Sequence, residues 1–102
     1  MARNWRNPGD RREEIDLVCR DGEAVVFVEV RARAAHARVQ GFETIDRRKR
    51  RVLRRVIRAY LARLRPPAAA FRVDVAEISI ENGAPAEVRH FRNVPLFSKH
   101  RN

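Results

Sequence analysis

The sequence predicts a single α/β domain over residues 1–102, in which a small mixed β-sheet is flanked by a long basic helix. Two observations predict the sheet and one predicts the helix. Val- and Ile-rich segments are joined by the hairpin dipeptides Asp21-Gly22 and Asn82-Gly83, which predicts strands over 14–31, 71–80 and 86–92. Between them, apolar residues recur with helical periodicity. A chain of 102 residues suffices for one small domain and is too short for two. The polar residues 1–13 and the basic residues 95–102 are predicted to be loosely ordered.

The first hairpin carries acids within strands that are otherwise apolar. If Asp21-Gly22 forms a two-residue loop, Glu14 pairs with Glu29. Side chains alternate between the faces of a strand, so Glu14, Asp16 and Glu29 then share one face with Arg31. Asp16 and Glu29 become diagonal neighbours, near enough for two carboxylates to reach one divalent cation. The alternative is a half-exposed sheet with ordinary surface acids and Arg31 as their salt-bridge partner.

The helix is predicted to run from Thr44, a suitable N-cap, to about Leu64, because Pro66-Pro67 cannot continue it. One stripe of apolar residues on this helix is predicted to face the core. The stripe consists of Ile45, Val52, Leu53, Val56, Ile57, Tyr60, Leu61 and Leu64.

The positive charge of the protein is concentrated on this helix. The whole chain has a formal net charge of +10 and a pI near 11.5, which favours a polyanionic partner, with nucleic acid ahead of a membrane surface. The helix residues predicted to bind nucleic acid are Arg47, Arg48, Lys49, Arg50, Arg51, Arg54, Arg55 and Arg58. An ordinary solvated face is the alternative, although like charges four residues apart destabilise a helix. Lys49 either extends to solvent beside the apolar stripe or points toward the hairpin acids.

Several classes of function are disfavoured by what the sequence lacks. The single cysteine, Cys19, cannot form an intrachain disulfide, and the start of the chain has no apolar signal region. No apolar run approaches the roughly 20 residues that span a bilayer. We therefore expect a cytoplasmic protein without a membrane partner. The three histidines show no zinc spacing. Asp74, in the middle of the third strand, is either ancillary to the hairpin acids or a surface acid.

Five segments of the sequence resemble the YraN-like family of bacterial proteins. These segments, in order, are Ala2-Arg3-Asn4-Trp5-Arg6, Glu14-Ile15-Asp16-Leu17-Val18, Val26-Phe27-Val28-Glu29-Val30-Arg31, Ile45-Asp46-Arg47-Arg48-Lys49-Arg50-Arg51 and Phe71-Arg72-Val73-Asp74-Val75. The resemblance implies the restriction-endonuclease-like fold, which that family is expected to share with archaeal Holliday junction resolvases. Members of the family begin with an additional helix, and this chain is expected to begin after it.

The resemblance also implies a metal-dependent site. Asp16 and Glu29 match the acids that hold Mg²⁺ or Mn²⁺ in the superfamily, and Glu14 matches a further acid of the family. Arg31 stands where the nucleases usually carry lysine, so Asp16, Glu29 and Arg31 are the predicted catalytic residues. Arginine is always charged and cannot act as a base, but it can clamp a phosphate. Resolvases act as dimers, so a homodimer is expected by analogy.

Three functions follow as hypotheses. The first is a metal-dependent nuclease that binds DNA, including branched DNA, and hydrolyses phosphodiester bonds. The second is a catalytically inactive nucleic-acid-binding protein that retains the nuclease fold. The third is an interaction module for an acidic protein or ribosomal RNA. Among nucleic acids, DNA is expected ahead of RNA. The phenylalanines do not form the aromatic-interleaved strand motif of RNA-binding sheets.

Overall fold

A computed structural model of the protein describes residues 2–34 and 47–95, with the backbone alone described at 11–13 and 33–34. The elements in chain order are β1 (Ala2–Asn7), β2 (Asp10–Asp21), β3 (Ala24–Ala34), α1 (Arg47–Arg63), β4 (Ala70–Glu81) and β5 (Ala84–Phe91). The predicted α/β class is confirmed. Thr44, Ile45 and the tail from residue 96 lie outside the described residues.

The five strands form one mixed sheet in the order β1-β2-β3-β4-β5. Neighbouring strands are antiparallel except β3 and β4, which are parallel and are connected through α1. Strand β1 was not predicted: residues 2–7 pair with β2, whereas this segment was expected from the sequence to be loosely ordered. Among the described residues, no helix combines the length and apolar character needed to cross a membrane.

Both predicted hairpins form, but the first has a different loop. Asp21 pairs with Ala24, so Gly22-Glu23 is the loop, and the predicted Asp21-Gly22 loop is wrong. Gly22 has a φ of +63° at the first central position, where a type II′ turn takes glycine. The pairing shifts by two residues, which preserves the facing of each side chain because alternation has a period of two. In the second hairpin, Asn82 and Gly83 both have positive φ, as a type I′ turn requires.

The core lies between α1 and one face of the sheet. The helix contributes Leu53, Val56 and Ile57, as its apolar stripe predicted, while Val52, Tyr60, Leu61 and Leu64 pack around them. The sheet contributes Ile15, Val18, Val25, Phe27, Val73 and Val75. The burial of each large apolar side chain stabilises the fold by about 1.5–3 kcal/mol. This burial holds α1 in place against the mutual repulsion of its arginines.

The alternation of side chains along β2 is interrupted between Ile15 and Val18. Both residues belong to the same core although strict alternation would place them on opposite faces. Opposite this change, Asn4 of β1 has a φ of +53°, and Trp5 beside Ile15 contacts Tyr60 of α1 with a ring distance of 5.1 Å. The irregularity changes which acids of β2 lie beneath α1.

Candidate active site

Asp16 and Glu29 lie next to each other at the end of a regular β2–β3 ladder. The ladder runs from the Asp21–Ala24 pair to the Leu17–Val28 pair, so both acids follow its last pair. Glu29 lies on the same face of β3 as the core residues Val25 and Phe27, and it is only 5% exposed. The predicted closeness of the two acids is therefore present, in a direct rather than a diagonal arrangement.

The carboxylate of Asp16 is fixed by the backbone of β3. Its Oδ2 atom accepts a 2.8 Å hydrogen bond from the backbone N–H of Val30. A buried strand N–H needs a partner, and here a side chain supplies one beside the end of the ladder. The bond anchors Asp16 next to Glu29 and limits the rotation of its carboxylate.

Lys49 of α1 points toward the hairpin acids, one of the two alternatives that its position in the apolar stripe left open. Its Nζ atom lies 3.4 Å from Glu29 Oε2, and the lysine side chain is 40% exposed. A cation at this place compensates part of the negative charge of two adjacent acids. The end of α1 that carries Lys49 thus lies over the acid pair.

The pKa of Glu29 is raised to about 7. The largest cause is burial, which disfavours the charged carboxylate, and the second is the negative charge of Asp16, while Lys49 acts in the opposite direction. Near neutral pH this carboxyl group can therefore hold either a proton or a cation. Strongly perturbed acids of this kind are enriched at functional sites.

Glu14 does not join the acid pair. It lies next to Ile15, which faces α1, so strand alternation turns Glu14 toward the other face. There its Oε1 atom lies 3.7 Å from Arg6 Nη2, and the Arg6 and Glu14 backbones pair across β1 and β2. The prediction that Glu14 shares a face with Asp16 and Glu29 is wrong, because the irregularity in β2 reverses the direction of its side chain. In the described part of the chain, no group of three or more His, Cys, Asp or Glu residues could hold a metal ion.

Arg31 lies on the same face of β3 as Glu29, two residues further along the strand. In the parallel β3–β4 register its partner is Glu77, a buried acid that is 3% exposed and that the sequence interpretation missed. A signal for it was present, because Val73, Val75 and Glu77 occupy alternate, inward-facing positions of one strand. The structure thus brings a third acid to the face of the candidate site, beside Arg31.

The arginines of α1 follow one side of the helix. Arg47, Arg51, Arg55 and Arg58 are exposed and are spaced by four, four and three residues, which places them on one face opposite Leu53, Val56 and Ile57. We call these four residues the outer arginine stripe. Arg48 is also exposed, whereas Lys49, Arg50 and Arg54 are partly buried. The predicted nucleic-acid-binding residues therefore divide into an outer group and a group nearer the sheet.

Asp74 belongs to a separate network on the opposite face of the sheet, since it lies between the core residues Val73 and Val75. It is 1% exposed and accepts hydrogen bonds from Asn93 N–H at 2.8 Å and from Arg72 Nε at 3.1 Å. His90 Nε2 lies 2.8 Å from its Oδ2. Burial alone would raise the pKa of Asp74, but the bonds from Asn93, Arg72 and His90 hold it below its usual value. Asp74 is therefore neither a surface acid nor part of the candidate site.

Asp74→Ala is expected to lower the free energy of unfolding by about 2–4 kcal/mol, because it leaves Arg72 and the Asn93 N–H without their buried acceptor. Urea denaturation at pH 7 measures the change. The matched control is Glu87→Ala on β5, an exposed acid whose removal is expected to change stability by no more than about 0.5 kcal/mol. Equal effects of the two substitutions would contradict the structural role of Asp74.

These features define a class of protein: a small mixed α/β domain in which a buried acid, Glu29, and the partly buried Asp16 lie beneath the end of an arginine-rich helix. The model of the Uncharacterised protein family UPF0102 matches residues 1–78. The chain belongs to this family, which is the YraN-like family that the sequence resembles.

Several bacterial proteins of this family align with most of the chain. A UPF0102 protein of Beutenbergia cavernae is 40% identical over 94 residues, which cover 92% of this chain and 77% of the relative. A UPF0102 protein of Nitratidesulfovibrio vulgaris is 37% identical over 90 residues, covering 88% of this chain and 64% of the relative. A UPF0102 protein of Chlorobaculum tepidum is 37% identical over 78 residues, or 76% of this chain and 58% of the relative. The chain thus spans less than two thirds of the length of some of its relatives.

Proposed function

We propose that this protein is a metal-dependent nuclease of the restriction-endonuclease-like class that binds DNA, including branched DNA, in the cytoplasm and hydrolyses phosphodiester bonds. The observation that carries the proposal is the pair Asp16–Glu29, in which burial and a neighbouring negative charge raise the pKa of Glu29 to about 7. A bound cation stabilises the charged form of such a carboxyl pair strongly, because it offsets both the cost of burial and the repulsion between the two carboxylates.

The donor set suits Mg²⁺ or Mn²⁺. Mg²⁺ is commonly bound in phosphate chemistry by one or two carboxylates, with waters and substrate phosphate oxygens completing its shell. Asp16 and Glu29 supply two hard oxygen ligands, and Asp16 is already oriented by the Val30 N–H. A bound divalent cation would polarise the phosphate and lower the pKa of an attacking water. The fit requires no third protein ligand.

The neighbouring basic side chains have separate roles in this proposal. Lys49 offsets part of the charge of Glu29. If Asp16 and Glu29 held a divalent cation, the Lys49 ammonium would be available to bind a substrate phosphate. The guanidinium of Arg31 binds the non-bridging oxygens of the phosphate, where negative charge grows in the transition state. Because arginine remains charged at all relevant pH values, Arg31 is assigned electrostatic stabilisation and no proton transfer.

DNA is proposed to follow the outer arginine stripe toward the acid pair. Changing Arg47, Arg51, Arg55 and Arg58 together to Gln is expected to reduce the slope of log affinity against log salt by about 3–4, since each lost phosphate contact contributes about 0.9. Fluorescence anisotropy with a labelled duplex, in EDTA and over a series of salt concentrations, measures the slope.

The matched control for this stripe variant carries Gln at the exposed residues Arg3 of β1, Arg20 of β2 and Arg92 after β5, none of which belongs to α1. The control variant thus lacks three arginine charges from other parts of the surface. The control is expected to retain most of the wild-type slope. If the two variants lower the slope equally per charge removed, binding follows net charge rather than the outer arginine stripe.

A second candidate function is a catalytically inactive nucleic-acid-binding protein with the same fold. The ion pair between Lys49 and Glu29 favours it, because that pair compensates part of the charge of the buried acid without a metal. The decisive experiment incubates four-way junction and linear duplex DNA with the protein and Mg²⁺ or Mn²⁺. Cleavage that EDTA abolishes supports the nuclease. Salt-dependent binding without cleavage in either metal refutes the nuclease and supports the second candidate.

A further inference from the structure

We propose that Glu77 is a positioning residue that holds Arg31 and Arg89 side by side as a two-guanidinium binding site for the phosphodiester backbone, adjacent to the Asp16–Glu29 pair. The inference rests on the proposed function in one respect, namely that the polyanion is a nucleic acid. It adds a strand of the sheet, β5, to the nucleic-acid surface.

The three residues form one row across three strands. Arg31 of β3 is in parallel register with Glu77 of β4, and Glu77 is in antiparallel register with Arg89 of β5. Residues in register on neighbouring strands share a face and are separated by about 4.8 Å per strand. The two arginines therefore flank one carboxylate at a separation that long side chains easily bridge.

The burial of Glu77 explains why it needs such neighbours. Its side chain is 4% exposed, and its Oε1 atom lies 3.9 Å from Arg89 Nη1. A buried carboxylate is costly unless it is paired with cations or hydrogen-bond donors. A cation on each flank satisfies that need, and the same electrostatic attraction confines both guanidinium groups to the sheet surface.

Arg89 has a second support and unused donor capacity. Its guanidinium carbon lies 5.8 Å from the centre of the Phe91 ring on the same strand, which is a cation–π distance. The Arg89 side chain is 46% exposed. A guanidinium has five N–H donors, more than one carboxylate can accept. Arg89 can therefore bind a phosphate while it remains oriented by Glu77 and Phe91.

The row lies beside the acid pair. Glu29 precedes Arg31 by two residues on the same face of β3, a distance of roughly 7 Å along a strand. Asp16 and Glu29 repel an approaching phosphate. The guanidinium groups of Arg31 and Arg89, next to this pair, offset that repulsion. Bidentate arginine is well suited to phosphate oxygens. In this arrangement Arg31 would bind the phosphate presented to Asp16 and Glu29, and Arg89 would bind the next phosphate of the backbone.

The test measures binding of a fluorescein-labelled duplex by anisotropy in EDTA, so that hydrolysis has no part in it. Arg31→Ala and Arg89→Ala are each expected to weaken binding about three- to tenfold and to reduce the salt slope by about one. Arg92→Ala is the matched control, because Arg92 pairs with Asp21 away from this row. It is expected to have the smaller effect of a lost distant charge.

Glu77→Gln separates positioning from simple electrostatics. Removal of a negative charge strengthens DNA binding if Glu77 only repels the backbone. If Glu77 positions the arginines, Glu77→Gln weakens binding at least twofold despite the more positive protein, and it has no further effect in the Arg31→Ala/Arg89→Ala background. Thermal unfolding of each variant shows whether it is folded. If Glu77→Gln does not fold, Arg89→Ala still tests the row, because the Arg89 side chain is exposed.

The outcomes distinguish this inference from the proposed function. Weaker binding by the Arg31, Arg89 and Glu77 variants supports the row, whether or not the protein cleaves DNA. An Arg89→Ala variant that binds like Arg92→Ala, or a Glu77→Gln variant that binds more tightly than wild type, overturns the inference and leaves the nuclease intact. A wild-type protein that binds no DNA at physiological salt overturns both.

Discussion

Asp16→Asn and Glu29→Gln are each expected to reduce Mg²⁺-dependent cleavage of four-way junction DNA by about a hundredfold or more. Metal polarisation of a phosphate is worth several kcal/mol, and each 1.36 kcal/mol corresponds to a tenfold change in rate. Both substitutions keep the side-chain volume and remove a charged oxygen ligand. The measurement is the single-turnover rate on a labelled junction, with Mg²⁺ varied, because a weakened metal site shows first as a higher Mg²⁺ requirement.

Two further acids sharpen this experiment. Glu23→Gln in the first hairpin loop is the control for a surface charge change and is expected to keep the wild-type rate. Glu14→Gln tests the structural assignment, because the resemblance makes Glu14 a metal ligand while the structure turns it toward Arg6. Retained activity in Glu14→Gln agrees with the structure. Wild-type rates in both Asp16→Asn and Glu29→Gln would refute the proposed active site.

The stability of the protein is expected to fall as the pH rises from about 4.5 to above 7, owing to Glu29. The pKa of this residue is about 7 in the folded protein and near 4.5 when it is unperturbed. In that interval the folded state binds more protons than the unfolded state, so increasing pH favours unfolding. The stabilisation is complete below pH 4.5 and is lost through pH 7, and its size is about 3 kcal/mol.

Urea denaturation of wild type and Glu29→Gln from pH 4 to pH 8 measures this contribution as a difference. The variant is expected to lack the decline and to exceed wild type in stability near pH 8. Asp74 acts in the opposite sense, since its lowered pKa gives stability that is lost on acidification, but that loss begins below the window of Glu29. A difference curve that is flat from pH 4.5 to 8 would contradict the buried, charge-coupled state of Glu29. Mg²⁺ added at pH 8 is expected to recover part of the wild-type loss, and none in the variant.

The acid pair was predictable in part, and the reason lies in the period of a strand. The predicted hairpin loop was displaced by one residue, yet Asp16 and Glu29 were still assigned together, because a two-residue shift in pairing leaves every facing unchanged. The facing of Glu14 was predicted wrongly, because the irregularity between Ile15 and Val18 cannot be recognised in the apolar alternation of the β2 sequence. Local departures of this kind depend on the packing of Trp5 and Ile15 against α1.

Four features follow from the sequence alone: the α/β class, the two hairpins, the inward stripe of α1 and the concentration of positive charge on its other faces. These features depend on periodicity and turn chemistry, which act over a few residues. Other features are visible only in the folded protein: Lys49 lies beside Glu29, Glu77 lies in a row with Arg31 and Arg89, and Asp74 is buried on the opposite face of the sheet. The register between strands distant in sequence, and the direction in which α1 crosses them, produce these contacts. Such pairings arise from burying one common core, which no single segment specifies.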